Sequence, residues 1–160
     1  MKRCSLYVLL LCVLLLGLPN YAQAASATAT QVVTLRVEPF AVISLVGTGG
    51  KNSTRLIIDR AGITTVSQEL KWTTNLEGMR VTVQSNRPTG EQHYVLKVRA
   101  VNLNTKGTSK GWVIINEKPS SLITGITREV GGCCQEYEAS PKNSKKAERE
   151  EHIITYTITE

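Results

Sequence analysis

The chain has 160 residues, of which 41% are hydrophobic and 20% charged, and its 19 Lys and Arg residues against 13 Asp and Glu give a net charge of +6. These proportions are typical of a folded globular domain and exclude disordered and collagen-like chains. The basic residues are spread among apolar runs and are not clustered with aromatic side chains, so the charge does not indicate a nucleic-acid-binding protein.

The first residues have the pattern of a secretory signal peptide. Two basic residues at positions 2 and 3 precede the apolar run Leu6–Leu18, and the small-residue pattern Ala22-Gln23-Ala24 follows. We predict a signal peptide of residues 1–24 and a single domain of residues 25–160. No other run approaches the roughly 18 apolar residues of a membrane span. The expected protein is therefore secreted, periplasmic or displayed at the cell surface, with no membrane span after cleavage.

Beyond residue 25, apolar residues alternate with polar ones or form short runs, and turn residues separate these runs at short intervals. This periodicity favours β-strands. In chain order the predicted strands are Gln31–Val37, Phe40–Val46, Thr54–Ile58, Gln68–Thr74, Met79–Gln84, Tyr94–Val101, Trp112–Asn116, Ser121–Ile126 and His152–Thr159. About eight or nine strands with no required helix indicate an all-β protein, an immunoglobulin-like antiparallel β-sandwich.

Residues 128–151 break the alternating pattern. They contain Gly131, Gly132 and Pro141, followed by a run of mixed charges. We predict a long polar loop here, mobile and tolerant of shortening, because the cost of closing a loop changes slowly with its length.

The sequence contains no catalytic motif. Asp59 is its one aspartate, His93 and His152 are its two histidines, and no spacing links any of them to a serine. The paired carboxylates Glu136, Glu138, Glu148, Glu150 and Glu151 fall in the predicted loop, where we expect solvated charges. We therefore expect no catalytic residue, no cofactor and no metal.

Cys133 and Cys134 are the most chemically specific feature of the predicted domain. Adjacent cysteines can form a vicinal disulfide, pair with a second chain, stay as free thiols or bind a soft metal. An oxidising compartment favours a disulfide.

Two tryptophans are the candidates for ligand binding. Core packing is the favoured role of Trp72 and Trp112, as it is of Tyr94 and Tyr156, and stacking on a sugar is the alternative for the tryptophans.

Four segments carry a resemblance: Val32–Val37, Leu70–Asn75, Leu122–Ile126 and Ile154–Ile158. They look like those of small exported bacterial β-sandwich proteins, most of them uncharacterised, and more distantly like fimbrial and surface-adhesion subunits of immunoglobulin-like fold. The resemblance implies a non-enzymatic structural, adhesive or binding module that acts by strand pairing or through its loops, with pilus subunits, other surface subunits or a glycan as partners. The spaced cysteine pair common in chaperone-assembled pilins is absent. The alternative is a secreted carbohydrate-binding accessory domain or hydrolase, which an exposed aromatic pair on one sheet face would favour.

Overall fold

The computed structural model describes residues 30–59, 62–64, 68–143 and 148–160. The chain divides into two compact units, Met1–Arg36 and Val37–Glu160. Of the first unit, residues 30–36 are described; they are exposed and form neither helix nor strand. The predicted signal peptide of residues 1–24 lies outside the described residues.

The second unit is built from antiparallel strands. The described residues form eleven strands, β1 (Ala41–Leu45), β2 (Ser53–Asp59), β3 (Gly62–Thr64), β4 (Glu69–Thr74), β5 (Met79–Ser85), β6 (Tyr94–Asn104), β7 (Thr108–Ser109), β8 (Val113–Ile114), β9 (Ser120–Ile126), β10 (Glu129–Pro141) and β11 (Glu150–Thr159). A five-stranded sheet has the order β1-β4-β10-β6-β8, and a six-stranded sheet has the order β3-β2-β11-β5-β9-β7. The predicted all-β class and antiparallel β-sandwich are confirmed, with more strands than the eight or nine expected.

The core lies between the two sheets and follows the alternation of the sequence. Leu96 and Val98 of β6 are buried from one sheet, and Val81 and Val83 of β5 are buried from the other. The same period of two buries Ile154 and Tyr156 of β11. The hydroxyl of Tyr156 lies 2.5 Å from that of Tyr137 on β10, so a polar contact joins the two sheets.

The prediction of a loop over residues 128–151 is wrong. Residues Glu129–Pro141 form the 13-residue strand β10, which lies inside the five-stranded sheet and pairs with both β4 and β6. The connection between β10 and β11 is therefore confined to residues 142–149. A register shift between Gly132 and Cys134 marks a β-bulge, which explains why a strict alternation does not run through this stretch.

The predicted first strand, Gln31–Val37, is also wrong. These residues alternate as a strand does, but they pair with no strand of the described chain. Alternation reports the tendency of a segment to become a strand, whereas a strand forms only where a partner edge is supplied.

Candidate functional site

The two tryptophans lie in different surroundings. Trp72 on β4 is buried, as the core-packing prediction required, and its indole Nε1 donates a hydrogen bond of 3.3 Å to Glu129. Trp112 is 41% exposed, so the same prediction is wrong for it. The guanidinium of Arg99 lies 4.7 Å from the centre of its ring and also pairs with Glu136 at 2.6 Å. The two indoles do not form an exposed aromatic pair, and Arg99 covers one face of the exposed ring.

Gly131 explains how Trp72 fits beside β10. The two residues are direct cross-strand partners, and a Cβ atom on Gly131 would lie 2.6 Å from the indole nitrogen. Gly131, one of the small residues that suggested a loop, is therefore needed in a central strand so that the indole of Trp72 can pack against it.

The structure places Cys133 and Cys134 in the middle of β10 with no bond between their sulfur atoms. Cys133 is buried in the core and Cys134 is partly buried. Burial raises the pKa of Cys133 to about 12, with smaller contributions from Cys134 and Glu69. Successive side chains of a strand point to opposite faces, so a bond between these two sulfurs would require β10 to rearrange locally. The vicinal disulfide stays a prediction.

A buried polar cluster that was not predicted from the sequence lies at the junction of β5 and β11. The Oγ atom of Ser85 lies 2.8 Å from Nδ1 of His152, and Nε2 of that histidine lies 2.7 Å from Glu150. Arg87 approaches the same carboxylate at 3.4 Å, and the backbone N–H of His93 donates to it at 2.7 Å. The expectation that Glu150 is a solvated loop charge is wrong, because its side chain is fully buried.

The periodicity of β11 contains the signal that could have revealed this cluster. Ile154 and Tyr156 face the core, and the same period of two, extended toward the N-terminus, places His152 and Glu150 on that face. Because both side chains are polar, the alternation of apolar residues alone does not reveal that these two positions face the core.

The cluster has the composition of a Ser-His-carboxylate triad, with Glu150 in place of the aspartate, but it lacks the access that catalysis requires. Ser85 is only 3% exposed. The N–H of Arg87 donates to the serine oxygen itself at 3.1 Å, and the N–H of Asn86 donates to the carbonyl of Ile153 at 3.1 Å. The neighbouring amides are thus engaged and do not form an oxyanion hole.

Electrostatics keep His152 neutral in the folded protein. Burial lowers the pKa of His152 below its ordinary value, Glu150 acts in the opposite direction, and the positive charge of Arg87 lowers it further. A neutral imidazole can accept a hydrogen bond from the Ser85 hydroxyl at Nδ1, while its Nε2 lies 2.7 Å from Oε1 of Glu150 without the geometry of a hydrogen bond. We assign the cluster the role of joining the start of β11 to the turn after β5.

The open edge of β1 is the most unusual surface of the sandwich. Among the described strands, β1 pairs with β4 alone, and its five residues make it longer than the other three edge strands, β3, β7 and β8. Residues 39–46 contain no charged side chain, and Val42 is 59% exposed. Edge strands in soluble proteins are usually short or protected by charges, and β1 is neither.

The backbone of β1 directs hydrogen-bonding groups toward this edge. The backbone N–H of Asn75 donates to the carbonyl of Phe40, and the backbone N–H of Val46 donates to the carbonyl of Glu69. The backbone groups of the even-numbered residues between them therefore point toward β4. By the alternation of antiparallel pairs, the N–H and C=O groups of Ala41 and Ile43 point away from β4. At the far end Leu45 donates to Lys51, so the open part of the edge is centred on Ala41 and Ile43.

No family model, curated protein or solved structure matches the chain. Within the described part of the chain, no helix has the length and apolar character needed to cross a bilayer. Over the same ranges, no group of three or more His, Cys, Asp or Glu side chains is placed to hold a metal ion.

Proposed function

We propose that this chain is an exported, non-enzymatic structural module that self-associates by strand pairing. In this proposal the segment Gln31–Val37 of one copy adds to the open edge of β1 in a second copy. The observation that carries the proposal is the uncharged, five-residue edge of β1, with backbone groups of Ala41 and Ile43 directed outward.

The segment Gln31–Val37 has the side chains that such an edge requires. Val33, Leu35 and Val37 recur at every second position, and the first two are 78% and 84% exposed. In an added strand these three side chains share one face. With that face toward the core, they cover Ala41 and Ile43, which are partly buried against it. Main-chain hydrogen bonds then supply affinity, and the alternate side chains supply specificity.

The other parts of the proposal rest on the signal-peptide pattern and on the Ser85 cluster. Export follows from the pattern of residues 1–24. A non-enzymatic role is supported by the burial of Ser85, the serine that contacts His152. A module of this kind acts through its surfaces, so its assembly state is the property to measure.

Three single substitutions test the pairing. Leu35→Lys places a charge on the apolar face of the segment, and Ala41→Pro removes an outward N–H of β1 without removing a bond to β4. Ile114→Lys makes the same apolar-to-lysine change on β8, at the opposite edge of the same sheet, and is the matched control.

Sedimentation velocity over a range of protein concentrations measures the outcome. We expect the wild-type chain and Ile114→Lys to associate, and both Leu35→Lys and Ala41→Pro to remain monomeric with unchanged circular dichroism. A wild-type chain that stays monomeric at every concentration, or variants that associate as strongly as the wild type, would contradict the proposal.

A further inference from the structure

A polar groove lies on the outer face of the six-stranded sheet, away from β1. It has a volume of about 360 Å³ and lies over β5, β9 and β11. Its lining consists of Arg80, Thr82, Pro119, Ser121, Thr157 and Thr159. The volume falls within the range of roughly 300–1,000 Å³ that is typical of small-molecule sites.

The strand register arranges the hydroxyl groups of this groove in a row. Thr157 of β11 is the direct partner of Thr82 on β5, and Thr82 is the direct partner of Ser121 on β9. Neighbouring strands lie about 4.8 Å apart, so the three hydroxyls follow one another across the sheet, with a register shift of the β5–β9 pair next to Thr82. The Thr82 side chain is only 9% exposed and its hydroxyl makes a long contact of 3.4 Å to the carbonyl of Thr157, so Thr82 lies deeper in the groove than its two partners.

Arg80 is the only charged side chain in the lining. It is the cross-strand partner of Thr159 at the end of the hydroxyl row, and its Nε lies 3.4 Å from the hydroxyl of that threonine. No carboxylate is among the lining residues. The groove therefore combines one positive charge with several groups that both donate and accept hydrogen bonds.

We propose that this groove binds an acidic saccharide, with Arg80 taking the carboxylate of a uronic acid residue and the row of Thr157, Thr82 and Ser121 taking its hydroxyls. A guanidinium and a carboxylate match in a two-bond geometry, and sugar hydroxyls match an array of side-chain hydroxyls. A nucleic-acid backbone fits less well, because its repeated phosphates require several cations. An apolar ligand fits less well because Pro119 is the only apolar residue of the lining.

The site is independent of the proposed self-association, since β1 belongs to the other sheet. Failure of either proposal therefore leaves the other one standing.

The test is a titration of the full chain with tri-galacturonic acid, followed by calorimetry and by amide chemical shifts. Maltotriose, which has no carboxylate, is the control ligand. Arg80→Gln removes the charge of the groove. Arg55→Gln makes the same change on β2 of the same sheet, where Arg55 pairs with Glu151, and is the matched control variant. Thr82→Val removes the central hydroxyl of the row.

We expect tri-galacturonic acid to shift the amides of β5, β9 and β11 around Thr82. Arg80→Gln should weaken its binding about tenfold or more, as for loss of a charge-assisted hydrogen bond. Thr82→Val should weaken binding by a smaller factor, and Arg55→Gln should leave it unchanged within about twofold. Three results would overturn the proposal: no binding of tri-galacturonic acid, equal binding of maltotriose, or equal losses in Arg80→Gln and Arg55→Gln.

Discussion

At the scale of single residues, Gly131 shows how a packing constraint produces a sequence that resembles a loop. It is buried and faces the indole of Trp72 in the neighbouring strand. The indole is itself fixed by burial and by its bond to Glu129, so it cannot move aside without breaking other contacts.

Gly131→Ala should therefore lower the free energy of unfolding by about 1–3 kcal/mol, the usual cost of overfilling a packed core. The matched control is Gly90→Ala in the turn after β5, where an added Cβ meets nothing within 4 Å. Urea denaturation of both variants measures the difference. Equal stability of the two variants would show that Trp72 yields to the added methyl group.

Cys133 and Cys134 should differ sharply in reactivity. Only the thiolate reacts with alkylating reagents. The pKa of about 12 keeps the Cys133 thiol protonated at pH 8, and its burial also keeps the reagent away. In a chain without residues 1–24, which contain Cys4 and Cys12, we expect the native protein to take up one equivalent of iodoacetamide at Cys134 and a second only after unfolding. Peptide mass spectrometry locates the adducts, and Cys134→Ser should abolish the native reaction. A chain with no reactive thiol, native or unfolded, would instead establish the disulfide.

At the scale of elements, alternation predicted those strands whose inner face keeps a period of two. It predicted β5, β6 and β11, where Val81, Leu96 and Ile154 mark the inner face. It failed for β10, because a bulge and two glycines hide the period of two. It failed for Gln31–Val37, because strand pairing depends on residues that are far away in the sequence.

The two candidate surfaces could not be predicted from the sequence either, because they too are formed by segments that are far apart in the chain. The hydroxyl row joins Thr82, Ser121 and Thr157, which are brought together by the register of three strands and share no local motif. The open edge of β1 could not be identified either, since its position in the sheet follows from the order of all the strands. The sequence predicts the strand Phe40–Val46 itself, and the apolar, charge-free character of this segment is visible in the chain.

The junction of β5 and β11 should make stability depend on pH. The pKa of His152 is lower in the folded chain than its ordinary value of 6.5, mainly because of burial. The unfolded chain therefore binds the proton more readily, so the contribution of His152 is complete above about pH 6.5 and is lost as the pH falls below it.

We expect the melting temperature of the wild type to fall between pH 7 and pH 5, and the fall to be smaller in His152→Gln. The quantity to compare is the change of melting temperature with pH, because His152→Gln can differ from the wild type in stability at every pH. The lowered carboxyl pKa values of Glu117 and Glu129 act mainly below about pH 5 and are present in both proteins, so they do not change the difference between the two slopes. Identical slopes in the two proteins would remove His152 as the cause.

At the scale of the whole molecule, assembly through the β1 edge couples stability to concentration. A strand that adds to the folded sandwich but not to the unfolded chain stabilises the fold by mass action. The added segment Gln31–Val37 buries Val33, Leu35 and Val37 but loses its backbone freedom, and these two opposing contributions are of similar size. The association should therefore be reversible and concentration-dependent.

The melting temperature of the wild type at neutral pH should accordingly rise with protein concentration. Leu35→Lys should melt at one temperature across the same concentrations, because a charge on the inner face of the added strand prevents its burial. Ile114→Lys, with its substitution on β8, should keep the dependence of the wild type. A wild-type melting temperature that stays constant over the range would mean that the edge of β1 remains unoccupied by a second copy, since a species that forms only between folded chains must stabilise them as its population grows.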